Sequence, residues 1–228
     1  EYDYMDSMWW RYFAFVKNSY DHWVFGQWFD ADTWEWLRGD ATAWGVEDRL
    51  HHDGRLVEVM HFDLAEFRVD EAFDPGLDPN GYTTAFLHTL ARGVPLADPY
   101  GDLTRRRARL ATYPEATAHR ILGGTRTELA GYLEQLRKAQ KRRDWASVVH
   151  RRAAFQTAWF DALFALNRAY HPGEKRLLDH ADGLGTRVAD QRTRWEAATL
   201  LQGDDAGLLP LLTTLAEDLF GLVDADRR

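Results

Sequence analysis

Two Asp-Pro steps and two glycines fall within the nine residues Phe73 to Gly81 (FDPGLDPNG), and no other stretch restricts the folding of this chain as much. Proline fixes φ, withholds a donor and pushes the residue before it out of the helical region. Neither a helix nor a central strand passes easily through such a segment, so it marks a boundary. It separates a first domain, residues 1–80, from a second, residues 81–228.

Ahead of the boundary the residues alternate. Gly45 to Leu50 and Leu56 to Phe62 read as strands joined by a turn at Asp53-Gly54. In the second strand Val57, Val59 and His61 share one face, while Leu56, Glu58, Met60 and Phe62 share the other. A carboxylate among large apolar groups is costly unless a cation, a hydrogen bond or a metal compensates it. Glu58 therefore has either a structural partner or a job. Seven of the ten tryptophans lie before residue 45, as expected for a packing-dense half of an α/β layer. Asp30 to Thr33 followed by Trp34 to Arg38 reads as a capped short helix.

Beyond the boundary the period is helical. Helices are expected over Thr83 to Ala91, Leu103 to Thr112 and Thr125 to Arg142. Asp144 caps the next, Trp145 to Tyr170, which His171-Pro172-Gly173 closes. Glu174 to His180, Val188 to Leu201 and Leu208 to Val223 follow. The expected fold class is α+β: an N-terminal mixed sheet with helices, then an all-helical antiparallel bundle.

Composition narrows the function classes. A 228-residue chain with 45% hydrophobic and 14% aromatic residues can bury a core. A net charge of -8 argues against a general nucleic-acid binder. The absence of cysteine removes disulfides, thiolate nucleophiles and Cys-ligated zinc, which fits a cytoplasmic protein. No apolar run approaches the roughly 20 residues that span a bilayer, so no membrane partner is expected. An oligomer is permitted and not demanded.

Three groups of residues could carry chemistry. His51, His52, Asp53, His61 and Asp63 are metal-ligand types about ten residues apart on a hairpin; they read as solvated turn residues or as a metal-dependent hydrolase site. The basic runs Arg105 to Arg109 and Arg137 to Arg143 read as solvated helix faces, with an anion-binding rim as the alternative. In LNRAYHPGEK, Asn167, Arg168 and Tyr170 crowd the end of a helix, and Lys175 follows across a Pro-Gly turn. Cations there complement a helix dipole. Equally, Arg168 and Lys175 offer a fork and a point charge to a polyphosphate.

That segment, with Gly93-Val94-Pro95-Leu96-Ala97-Asp98-Pro99-Tyr100-Gly101, resembles the helical half of nucleotidyltransferases of the DNA-polymerase-β type. The branch it is most similar to contains the aminoglycoside nucleotidyltransferases, and the resemblance runs from about Glu47 to Asp182. It implies a nucleotidyltransferase-like mixed sheet with helices before the bundle. It also implies Mg²⁺-dependent transfer of a nucleoside monophosphate from a nucleoside triphosphate, ATP first, to a hydroxyl of a small acceptor, and a cationic acceptor would suit the acidic net charge. Glu58 would be the catalytic third carboxylate and, with the acidic pair Glu1 and Asp3, would hold the metal. Arg168, Lys175, Asn167 and Tyr170 would meet the nucleotide. The family's phosphate-cradling Gly-Ser loop has no counterpart here, and the first residue is Glu, not Met. The expectation is a chain cut short at its start or one that has lost the loop. A catalytically silent nucleotide-binding or interaction protein is the rival reading.

Overall fold

The computed structural model describes residues 12–17, 23–26, 41–42, 45–52, 55–63, 81–95 and 98–226. The chain divides into two compact units, one of residues 1–74 and 89–112, the other of residues 75–88 and 113–228.

The first unit carries strands β1 (Tyr12–Lys17), β2 (Trp23–Gly26), β3 (Ala41–Thr42), β4 (Gly45–His52), β5 (Arg55–Asp63) and β6 (Val94–Pro95), in the spatial order β3-β4-β5-β1-β2-β6. In the β4–β5 register His52 pairs with Arg55. The turn expected at Asp53-Gly54 lies outside the described residues. After helix α1 (Gly81–Arg92) and β6, helix α2 (Asp102–Leu110) begins behind Gly101, whose φ is 69°. Asp98 holds that start: its carboxylate accepts from Leu103 N at 3.1 Å, from Thr104 N at 2.8 Å and from the Thr104 hydroxyl at 2.7 Å. Burial works against the charged carboxylate, but these bonds keep Asp98 below its ordinary value.

The expected class, with a nucleotidyltransferase-like mixed sheet and helices in front, is overturned. The described residues are predominantly helical, and before residue 81 they contain strands and no helix. Those strands pair antiparallel throughout. Among the described residues the single parallel pairing is the two-residue one between β2 and β6. Parallel neighbours need a crossover of a dozen or more residues, usually a helix, whereas a two-residue connection such as that between β4 and β5 can only return the chain antiparallel. The short helix expected over Trp34 to Arg38 lies outside the described residues.

The second unit is built on a helical hairpin. Helix α3 (Glu115–Arg142) and helix α4 (Trp145–Leu166) are joined through Arg143, in the left-handed region at φ 56°, and Asp144. The Asp144 carboxylate accepts from Ser147 N at 3.2 Å and from the Ser147 hydroxyl at 2.6 Å, the standard way to satisfy a helix's first donors. Helix α3 buries Leu122, Leu129 and Leu136, spaced seven apart on one stripe. Helix α4 buries nearly every residue from Ala158 to Leu166, the pattern of a helix covered on several sides. Around it lie α5 (Leu177–Asp182), α6 (Gln191–Leu200) and α7 (Leu208–Asp226). Trp195 of α6 meets Trp159, Phe160 and Phe155 of α4 at ring distances of 5.3, 5.2 and 6.1 Å. Trp159 is fully buried and donates its indole N–H to Leu215 O of α7 at 2.9 Å. No helix among the described residues is long and apolar enough to cross a membrane.

Candidate functional site

The segment after α4 is rigid for reasons visible residue by residue. Asn167 ends the helix: its amide donates to Leu163 O at 2.8 Å and to Thr186 O at 2.9 Å, and its carbonyl accepts from Thr186 N at 2.8 Å. One side chain thus ties the helix end to the loop before α6. Arg168 follows in the left-handed region at φ 50°. Its guanidinium grips Glu115 at the start of α3 with two parallel bonds of 3.0 Å, and reaches Asp226 at the end of α7, also at 3.0 Å. The Arg168 hydrogen bonds hold the Glu115 carboxyl below its usual value, and the carboxylates hold Arg168 firmly protonated.

Tyr170 is buried, with its ring 5.1 Å from that of Tyr113, and burial pushes its hydroxyl up to about 12. His88 Nδ1 lies 3.1 Å from the Tyr170 carbonyl. His171 is buried; its Nδ1 accepts from Gly173 N at 3.0 Å, and its Nε2 lies 4.0 Å from Asp161 Oδ1. An Nδ1 that accepts fixes the neutral ring with its proton on Nε2, which is buried and makes no hydrogen bond with a described residue. Burial, with His88 and His180 nearby, brings this imidazole down to about 4. Gly173 has φ 90°, and a Cβ there would stand 3.3 Å from Ala85 Cβ. After these anchors, Lys175 is exposed and makes no ion pair with a described residue.

A cleft of about 370 Å³ opens between α3 and α4. Arg120, Gly124, Glu128 and Tyr132 line one wall at a spacing of four, and Thr157 and Asp161 line the other. The Tyr132 hydroxyl donates to Glu128 at 3.2 Å. Nothing lies within 4 Å of a Cβ built on Gly124, so the glycine keeps the mouth wide. Two carboxylates, three hydroxyls (Thr125, Tyr132 and Thr157) and one guanidinium suit a small polar molecule with more donors than acceptors. Asp161 belongs both to this cleft and to the His171 turn.

The structure therefore gathers Asn167, Arg168, Tyr170 and Lys175 on one turn, with the first three engaged by neighbours and the lysine in solvent. Glu58 lies in mid-β5, and its Cα partners are Lys17 on β1 and Arg49 on β4. Glu1 and Asp3 lie outside the described residues. His51 and His52 stand at the turn end of the hairpin, whereas His61 pairs with Val46 at the other end. At about 3.4 Å per residue those ends are on the order of 17 Å apart, too far for one ion. Among the described residues no group of three or more His, Asp or Glu is placed to hold a metal.

Sequence reading missed Asp161, His171 as an Asp161 neighbour, and the Glu115–Arg168–Asp226 tie. One signal existed: Asp161 is the only charged residue between Ala153 and Asn167. Residues 82–177 match DUF4037, a domain of unknown function. The DUF4037 match begins in α1 and ends just after Lys175, so it takes in Asp98, the cleft and the whole Asn167–Lys175 turn. No curated protein and no solved structure matches the chain.

Proposed function

We propose that the chain is a nucleotidyltransferase of the DNA-polymerase-β superfamily. It moves a nucleoside monophosphate from a nucleoside triphosphate, ATP first, to a hydroxyl of a small molecule. The observation that carries this reading is the exposed Lys175 on a turn held by Asn167, Arg168, His171 and Gly173, inside the segment that matches DUF4037. Lys175 supplies a point charge for a phosphate. The α3–α4 cleft, with Asp161 and Glu128 on its walls, suits the acceptor's hydroxyl and ammonium groups.

Mg²⁺ is the ion that this chemistry calls for, and Glu1, Asp3 and Glu58 are the carboxylates that would have to hold it. In the strand register the Cα partners of Glu58 are Lys17 and Arg49, residue types whose charge would compete with a divalent ion for that carboxylate. The same neighbours, and the two carboxylates that already hold Arg168, favour a second reading: a silent module that binds a nucleotide without turning it over.

Incubation of the full chain with labelled ATP, with and without Mg²⁺, and a panel of amino and neutral hydroxylated acceptors separates the two. Pyrophosphate release that depends on acceptor and falls in Glu58→Gln supports transfer. Calorimetric ATP binding with no pyrophosphate supports the silent module. No ATP binding at millimolar concentration contradicts both.

A further inference from the structure

The end of the bundle where α3 turns into α4 carries features that nucleotide chemistry does not use. Trp145 and Val149, one turn apart on α4, are 42% and 56% exposed, and Leu200 at the end of α6 is 82% exposed. Hydrogen bonds bring these elements together: Gln140 donates to Gly203 O at 2.9 Å, and Arg152 donates to Leu201 O at 3.0 Å. A Cβ on Gly203 would lie 3.5 Å from the Trp145 ring. A single exposed leucine is ordinary, but a tryptophan, a valine and a leucine at one end of a bundle are the makings of a docking patch.

The charge around the patch opposes that of the chain. Residues 134–152 hold seven Lys and Arg against two carboxylates, in a protein whose net charge is -8. Glu134 is taken by Arg137 and Lys138 at 2.8 and 3.3 Å, and Asp144 faces Arg142 at 3.9 Å. Lys141 and Arg143 are exposed and make no ion pair with a described residue. A helix C-terminus is complemented by one or two cations, so several remain in excess. Asp204 and Asp205 follow in the neighbouring loop and reduce that excess without removing it.

We infer that this end docks an acidic, amphipathic segment of a partner protein, whose apolar side chains cover Trp145, Val149 and Leu200 while its carboxylates meet Lys141 and Arg143. A single-stranded nucleic acid fits less well, because it binds by stacking bases and neither Val149 nor Leu200 offers a ring. The inference is independent of the nucleotide reading.

The test uses the full chain and a fluorescein-labelled synthetic helix of Glu and Leu in an amphipathic repeat, read by fluorescence anisotropy. An oligothymidylate and a Glu-only peptide of equal charge serve as comparisons. The Glu/Leu helix binds, more weakly at high salt, and more tightly than either comparison. The double variants Trp145→Ser/Leu200→Ser and Lys141→Glu/Arg143→Glu each weaken it about tenfold or more while helical circular dichroism is unchanged. Absence of binding, undiminished binding in either variant, or tighter binding of a comparison overturns the inference.

Discussion

His171 is the side chain whose charge the fold dictates most firmly. Burial, with His88 and His180 nearby, brings it to about 4 from an ordinary 6.5, so the unfolded chain takes up a proton before the folded one does. Its contribution to stability is therefore complete above pH 6.5 and is lost as pH falls from 6.5 toward 4, by up to about 3 kcal/mol. Urea unfolding measured between pH 4.5 and 7 should show this slope in the native chain, and a flatter one in His171→Gln; equal slopes would mean that another group titrates. Gly173 is the second residue with no freedom. At φ 90°, Gly173→Ala should cost about 1–3 kcal/mol in the same assay. Neither residue announced its role. The Pro-Gly pair signalled the turn, but not that a histidine two residues back would be its buried hydrogen-bond acceptor. Asp161 did leave a trace, as one carboxylate in an apolar run. Its meaning depended on His171 arriving within 4.0 Å, a tertiary event that spacing does not encode.

At the scale of elements, α4 holds the bundle together, and its indole is the test. Trp159→Ala removes a ring packed against Trp195 and Phe160 together with its indole bond to Leu215 O, so a loss of about 3–5 kcal/mol is expected in chemical denaturation. Arg168 joins the ends of three helices by charge. Arg168→Ala should lower the melting temperature at low salt, with the difference shrinking in 1 M NaCl; a salt-independent loss would point to packing instead. The helices were largely legible because their apolar period is local. Asp144 marked the start of α4 correctly. Helix α3 begins at Glu115 and not at Thr125, because the buried Leu122 and Leu129 carry the helix through Gly123 and Gly124 despite their low helix propensity. Helix α4 stops at Leu166 and not at Tyr170, because Asn167 caps it and Arg168 turns left-handed. In front, β4 and β5 followed from alternation and the Asp-Gly turn. The antiparallel partners β1 and β2 did not, since pairing between distant strands leaves no local mark.

Over the whole molecule, two compact units share the chain, and the functional reading rests on the second. Its turn and cleft lie inside the stretch that matches DUF4037, while the acids named for the metal lie outside it. The turn was visible in the sequence because its residues are contiguous. The cleft was not, because its two walls are drawn from positions 22 (Tyr132 to Ala154) to 41 (Arg120 to Asp161) residues apart that meet only when α3 and α4 pack. The most direct measurement is calorimetric titration of the full chain with ATP, compared with Lys175→Ala. The native chain should bind, and the variant should bind about tenfold more weakly, since one phosphate contact is lost, with an unchanged melting temperature. Equal affinity in the two proteins, or no heat of binding in the native chain, would contradict the nucleotide reading.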